Sequence, residues 1–294
     1  MSDTVPASPL QVFSAALAGL VAGAAPGLVS VHSHRARSSG FAWGPGLIVT
    51  ADEALAEEGE IAVTLPDGTS HPATLAGRDA STDIALLRID RADLPPPPAP
   101  AAPVAPGALA LVLGAEDGAP SVALGVIARA AGPWRSLRGG DIDARIELDA
   151  APRRAAEGGL VLDAAGGAIG MAVFGPRRRV LVIPRATIDR VAAALAAHGR
   201  IARGYLGLAL QPVPLEGGGG GVMVISIDPQ GPGAAAGVLQ GDVILAWAGE
   251  PVRSVRSLLR TLGPDAIGRT IALSVRRAGV PAELHLTVGE RPAA

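Results

Sequence analysis

Residues 61–90 read IAVTLPDGTSHPATLAGRDASTDIALLRID, and this stretch decides the fold. Ile61–Leu65 and His71–Leu75 are apolar runs joined through Pro66-Asp67-Gly68. Proline presets φ in that turn and glycine accepts positive φ, so the two runs pair as a hairpin. Ile84–Ile89 supplies a further apolar strand. Upstream, Phe41–Trp43 and Leu47–Val49 flank the turn Gly44-Pro45-Gly46. Downstream, the proline-rich Leu94–Gly107 is too stiff and too poor in N–H donors for a central strand. Apolar runs then recur at Leu109–Leu113, Val122–Ala128, Ile142–Leu148, Leu160–Leu162, Ala168–Val173 and Val180–Ile183. Short strands at this spacing predict a mainly β chain, a sandwich or a pair of barrels.

The whole chain has 294 residues, with 25 basic and 27 acidic side chains and a net charge of −2. That length suits about two domains. With 49% hydrophobic residues the chain is not disordered, and its 39 glycines and 26 prolines suit many turns better than a helical bundle. Near-neutral charge without a basic stripe excludes a nucleic-acid partner. Arg177–Arg179 lacks interleaved aromatic residues and reads as a solvated turn. There is no cysteine, which excludes disulfides, cysteine nucleophiles and thiolate metal sites. No cofactor is expected.

Leu10–Val31 carries no charge, but no basic residue precedes it and Asp3 makes the leader slightly acidic. A signal peptide wants a basic n-region, so this segment reads as a helix docked on the domain rather than a targeting segment or membrane span. Leu10, Phe13, Leu17 and Leu20 recur at helical spacing, and Pro26 stops the helix. The same feature leans toward the cytoplasm. Thr187–His198 reads as a second helix with Ile188, Val191 and Leu195 on one face. Beyond it lies a second unit with strands at Val222–Ile227, Val243–Trp247, Thr270–Arg276 and Glu283–Val288, and a helix over Val255–Leu262. The expected organisation is an N-terminal helical segment (1–27), a β domain (28–186), a linker helix (187–202) and a C-terminal domain (203–294).

Three segments resemble, in order, the core of HtrA/Deg-type serine proteases: SSGFAWGPGLIVTADEAL at 38–55, the stretch quoted above, and AGGAIGMAVFGPRRRVLVIP at 165–184. RGYLGLAL at 203–210 and GVMVISIDPQGPGAAAGVLQGDVILAWAGEPVRS at 221–254 resemble the PDZ domain that follows in that family. The resemblance covers Pro9 to Val288. It implies a trypsin-like double β-barrel followed by a PDZ domain.

A serine protease needs a hydroxyl nucleophile, an imidazole base and an orienting carboxylate. On the family pattern the base follows "IVT", where this chain has Glu53. The carboxylate of "TDIALL" is Asp83. The nucleophile position after Asp149-Ala-Ala is Glu157, in Ala155-Ala-Glu-Gly-Gly159. Two of three triad members are therefore replaced. None of His32, His34, His71, His198 and His285 falls at a matched position. Ala155 stands where the family has the glycine of its oxyanion turn, a Glu157 carboxylate repels an oxyanion, and bulky residues replace glycines in Arg178–Pro184. The resemblance thus implies a pseudoprotease. Glu53, Asp83 and Glu157 in one cleft raise at least one carboxyl pKa. Pairing with Arg153 or Arg154, binding of a hard cation, and proton sharing all stay open, as does carboxylate acid–base hydrolysis. The rival reading is an active serine endopeptidase in protein quality control with an unrecognised triad.

A PDZ domain adds an extended chain end to its sheet and holds the terminal carboxylate on backbone amides. The matched loop is Tyr205-Leu206-Gly207-Leu208, and Leu258 and Leu259 are expected on the far wall. The resemblance implies protein or peptide C-termini and unfolded segments as partners, bound by a chaperone-like or scaffolding subunit. It also implies a homotrimer, or a hetero-oligomer with an active paralogue, with Leu10–Val21 as an assembly element. Family members are often periplasmic.

Overall fold

The computed structural model describes residues 8–34, 36–57, 59–100, 103–175, 179–215 and 218–292. Arg177 and Arg178 of the expected basic turn lie outside them. The chain forms two compact units, one from Met1–Ser136 with Asp141–Arg200, the other from Leu137–Gly140 with Ile201–Ala294.

The first unit opens with α1 (Pro9–Ala24), started by a reciprocal cap between Ser8 and Gln11. A closed barrel follows, from β1 (Leu28–Ser33), β2 (Ala36–Gly44), β3 (Leu47–Thr50), β4 (Ile61–Thr64), β5 (Ser70–Asp79) and β6 (Ile84–Ile89). Its strand order is β1-β2-β3-β6-β5-β4, closed by pairing of β1 with β4. The quoted stretch supplies three consecutive strands of it, with Val63 opposite His71 across the Pro66–Gly68 turn. Val29, Val31, Ala42, Ile48, Val63, Leu87 and Ile89 fill its interior.

The proline-rich segment then crosses to a second closed barrel. Its carbonyls are used, Pro98 accepting from the Ala168 amide at 2.8 Å and Pro97 from Arg185 Nη1 at 3.0 Å. This barrel holds β7 (Leu109–Glu116), β8 (Ala119–Ala131), β11 (Arg145–Asp149), β12 (Leu160–Asp163), β13 (Ala168–Phe174) and β14 (Val180–Pro184). A small ribbon of β9 (Trp134–Arg135) and β10 (Asp141–Ile142) is inserted between β8 and β11. Val112, Ile127, Ile146, Val161, Ile169 and Val182 pack inside it.

Helix α2 (Arg185–His198) buries Ile188, Val191, Ala192 and Leu195 and ends at Gly199 in the left-handed conformation. The buried stripe packs this connecting helix within the first unit, where the Trp43 indole donates to Asp189 at 2.8 Å.

Helix α1 lies against the second barrel without being enclosed. None of its sixteen residues is buried, although Phe13, Leu17 and Leu20 line a cavity with Leu109, Leu111 and Leu124. Pro9–Gly27, with mean hydropathy 1.5, is long and apolar enough to cross a membrane, a test that signal sequences and core helices also pass.

The second unit comprises β15 (Gly204–Tyr205), β16 (Leu208–Pro214), β17 (Gly220–Ile227), α3 (Pro232–Ala235), β18 (Val243–Trp247), β19 (Glu250–Pro251), α4 (Val255–Arg260), β20 (Thr270–Arg277), β21 (Val280–Thr287) and β22 (Gly289–Glu290). Its main sheet runs β16-β17-β18-β20-β21, with β19 beside β18. Val222, Val224, Ile244, Leu258, Leu273 and Leu286 form the core. The buried Asp242 carboxylate, 1% exposed, is held by Arg277 Nε at 2.9 Å, Arg277 Nη2 at 2.8 Å and the Leu239 amide at 2.8 Å.

Candidate functional site

Two sites emerge, one in each unit. In the first, Glu53 lies in the turn after β3, Asp83 between β5 and β6, and Glu157 after a 3-10 turn, Arg154–Ala156. The fold brings the three carboxylates into mutual electrostatic range. Asp83 is partly buried, in the left-handed region at φ 58°, which Asp and Asn tolerate better than other non-glycine residues. Its Oδ1 accepts the Glu53 backbone N–H at 2.8 Å. Burial, followed by the negative charges of Glu53, Asp52 and Glu157, pushes the Asp83 carboxyl up to about 7, although the Glu53 amide pulls the other way. Burial and the charge of Glu53 also raise Glu157, against the Phe174 backbone amide and the Arg154 guanidinium.

The arginines divide between tasks. Arg153 turns to Glu116 at 3.1 Å, so it does not neutralise the cluster, and the pull of Arg154 leaves Glu157 still raised. Among the described residues no group of three or more His, Asp or Glu side chains is arranged to hold a metal ion.

The Glu157 loop is clamped from behind by Ser39, which sequence reasoning missed. Ser39 is fully buried; its amide donates to the Glu157 carbonyl at 2.8 Å and its Oγ to the Ala155 carbonyl at 2.5 Å, while it accepts the Ala115 amide at 2.8 Å. Gly158, at φ 78°, fits because a Cβ there would stand 2.4 Å from the Ser39 carbonyl oxygen. One donor that an oxyanion hole would use, the amide at the nucleophile position, is turned inward: the Glu157 N–H bonds the Arg154 carbonyl at 3.2 Å, and beside it the Ala156 N–H bonds that of Arg153 at 3.0 Å. Ala150, Ala151, Pro152, Phe174 and Val180 line an adjoining pocket of about 410 Å³. Arg78 bonds the Asp52 carboxylate and its carbonyl, fixing the turn that carries Glu53.

The histidines lie elsewhere. His32 contacts Thr64 Oγ1 at 3.2 Å and His71 contacts Thr69 Oγ1 at 3.1 Å. Among the described residues no serine hydroxyl hydrogen-bonds to a histidine ring.

The second site is the loop between β15 and β16. Gly207 takes φ 68°, and a Cβ there would meet the Gly231 Cα at 2.9 Å, so glycine is required twice over. The Leu206 carbonyl accepts the Gly233 amide at 2.7 Å and the Gly207 carbonyl the Asp228 amide at 2.8 Å. With those carbonyls tied inward, the Leu206 and Gly207 amides have no acceptor among the described residues. Asp228, also missed from sequence, braces the loop: its Oδ2 accepts the Tyr205 hydroxyl at 2.9 Å, and this bond, ahead of desolvation, raises the tyrosine pKa. Leu206 and Leu258 belong to the core at 4% and 0% exposure, Leu208 is half-buried, and Leu259 is 56% exposed. Among the described residues β16 is the terminal strand of its sheet and pairs only with β17.

A trypsin-like peptidase domain model matches residues 38–171, and a PDZ domain model matches residues 204–288. Over 274 residues the chain is 31% identical to a probable periplasmic serine endoprotease DegP-like protein of Brucella suis biovar 1, covering 87% of this chain and 53% of that protein. A protein of the same description from Chlamydia pneumoniae is 32% identical over 275 residues, covering 87% and 55%. The chain spans about half the length of the curated relatives it matches. Among solved structures, a serine endoprotease from Yersinia pestis superposes with TM-score 0.70 at 27% identity, covering 98% of this chain and 100% of that one. The HtrA-type protease AlgW with decapeptide gives 0.69 at 25% identity, covering 94% and 99%.

Proposed function

From a chain that belongs to the HtrA/Deg type, a trypsin-like double β-barrel followed by a PDZ domain, we infer a protein that binds peptides and does not cut them. The observation that carries this reading is the state of the nucleophile loop. Glu157 occupies the serine position, and its own amide is spent on the Arg154 carbonyl. A carboxylate held beside two others is a poor nucleophile at a peptide carbonyl, and it repels the charge that an oxyanion hole must stabilise. The fold is retained while the nucleophile, the imidazole and the amide donor at the nucleophile position are missing.

The PDZ unit supplies the activity. Backbone amides at Leu206 and Gly207 donate to a terminal carboxylate, and the open edge of β16 takes the chain end as an added strand. Protein C-termini and unfolded segments are the ligands, and the chain acts as a chaperone-like or scaffolding subunit. Assembly into a homotrimer, or with an active paralogue, covers the apolar surface of α1, where Leu10, Val12 and Phe13 are exposed, and of β8, where Val122, Leu124 and Val126 are exposed.

Digestion of casein by the purified chain, with Glu157→Ala as control, tests the reading. No cleavage above background is expected from either protein. Cleavage that disappears in Glu157→Ala refutes it and makes the carboxylate cluster an active site. Cleavage that survives purification by two independent routes and persists in the variant also refutes it, locating a catalytic serine elsewhere.

A further inference from the structure

The peptide groove of the second unit has a direction, and two exposed arginines, Arg253 and Arg256, stand at its far end. β16 leaves the Leu206–Gly207 amides and runs to Pro214, which pairs with Gly220. Helix α4 contacts β16 and runs the opposite way along it. Two contacts fix this sense. A Cβ on Gly220 would stand 2.7 Å from the Arg253 carbonyl oxygen, so the residue before the α4 cap lies at the far end of β16. At the near end, the Leu262 carbonyl just beyond α4 accepts the Gly204 amide at 3.0 Å.

The charges follow from that placement. Arg253 and Arg256 are exposed at the N-terminal side of α4, and neither has an ion-pair or hydrogen-bond partner among the described residues. Arg260, one turn further on, already has a partner. No acidic residue occurs between Arg253 and Leu262, and β16 and β17 carry no charge at all. Asp228, at the end of β17, is committed to Tyr205 and the Gln230 amide.

We propose that this groove selects chain ends with an apolar last residue and acidic residues at about the third to sixth positions before it, held by Arg253 and Arg256. The inference rests on the C-terminal peptide reading given above. A peptide whose carboxylate sits on the loop amides runs antiparallel to β16, at about 3.3 Å per residue. Its first residues lie beside Leu208 and Leu210, which pack on the apolar core. The upstream residues then pass the N-terminal end of α4, where Arg253 and Arg256 stand exposed. Exposed ion pairs contribute little each, so the selection is graded and salt-sensitive.

The test uses the full chain and fluorescent decapeptides ending in a free-acid leucine, with glutamate, serine or lysine at the third to sixth positions before it. At about 50 mM salt the glutamate peptide is expected to bind roughly two- to tenfold tighter than the serine peptide, and the lysine peptide weaker than both. The glutamate-to-serine ratio falls toward one at about 500 mM salt and in the variant carrying both Arg253→Gln and Arg256→Gln. Equal affinities for the three free-acid peptides, or a ratio that persists in the double variant, overturn the proposal and leave the carboxylate-binding reading standing. If C-terminally amidated peptides bind as well as the free acids, or no peptide binds, the groove reading fails and this inference with it.

Discussion

Replacing Asp83 by asparagine stabilises the first unit most above neutral pH, less at pH 5, and not below about pH 4. In the folded chain this carboxyl is moved from an ordinary 3.8 to about 7, because burial and three neighbouring carboxylates oppose its charge and no imidazole is there to offset it. The sign follows from proton counting. Between about pH 4 and 7 the unfolded chain has released the proton and the folded chain keeps it, so folding becomes less favourable as pH rises, and the whole penalty is present above 7. At about 1.36 kcal/mol per tenfold change in proton affinity, the displacement corresponds to roughly 4 kcal/mol as an upper bound. Asparagine keeps an oxygen for the Glu53 N–H, which now bonds Oδ1 at 2.8 Å, and tolerates φ 58°. Part of the gain goes to the weaker neutral hydrogen bond, so about 2–3 kcal/mol is expected at pH 8, a rise in Tm of roughly 4–12 °C for a unit of this size. Thermal melts of wild type and Asp83→Asn at pH 5 and pH 8, followed by circular dichroism, check it. A variant no more stable than wild type at pH 8, or one equally stabilised at both values, refutes the reasoning.

Three further substitutions probe other parts of the molecule. Restoring a triad on paper with Glu53→His and Glu157→Ser is expected to leave casein uncut, because the amide at position 157, one of the two oxyanion donors, remains committed to the Arg154 carbonyl; a measurable kcat/KM would show that the loop reorganises once the carboxylates are gone. Gly207→Ala is expected to cost about 1–3 kcal/mol through its positive φ and the contact with Gly231, and to abolish binding of free-acid peptides by calorimetry. Arg277→Ala leaves the Asp242 carboxylate buried with the Leu239 amide as its remaining partner, and is expected to lower stability by about 2–4 kcal/mol in a urea melt at pH 7. Since Asp242 is held below its ordinary value, chiefly by the Arg277 hydrogen bond, that difference shrinks as pH falls toward 3.

Much of the fold was legible because turn chemistry and strand period agree along the chain. Pro66-Asp67-Gly68 and Gly44-Pro45-Gly46 sit at the tips of real hairpins, and the apolar runs between them became barrel strands. Local pattern failed where burial depends on distant partners. Helix α1 has helical spacing and a capping box, yet nothing in its sequence says whether a domain surface, a second chain or a membrane meets its apolar side chains, and in the monomer none is buried. Leu206 and Leu258 read equally as groove lining or core, and three-dimensional packing assigned them to the core. Ser39 and Asp228 were invisible because their partners, Ala115, Ala155 and Tyr205, are 23 to 116 residues away along the chain.

The triad positions were legible as letters, and the structure gives them a physical meaning that letters lack. A surviving Asp83 invites the conclusion that some catalysis survives with it. Its contacts argue otherwise. The carboxylate receives the Glu53 backbone N–H, a bond that requires a backbone amide and any acceptor oxygen, with no histidine side chain involved. The left-handed backbone at this position independently favours Asp or Asn. Both demands are structural, and neither depends on a base or a nucleophile. The carboxyl that in an active triad is kept ionised by an adjacent imidazole is here pushed toward its neutral form. On the proposed pseudoprotease reading, the same residue at the same place in the barrel serves as an acceptor that ties down a turn rather than as a charge that orients a base, and its pKa is the quantity that distinguishes the two roles.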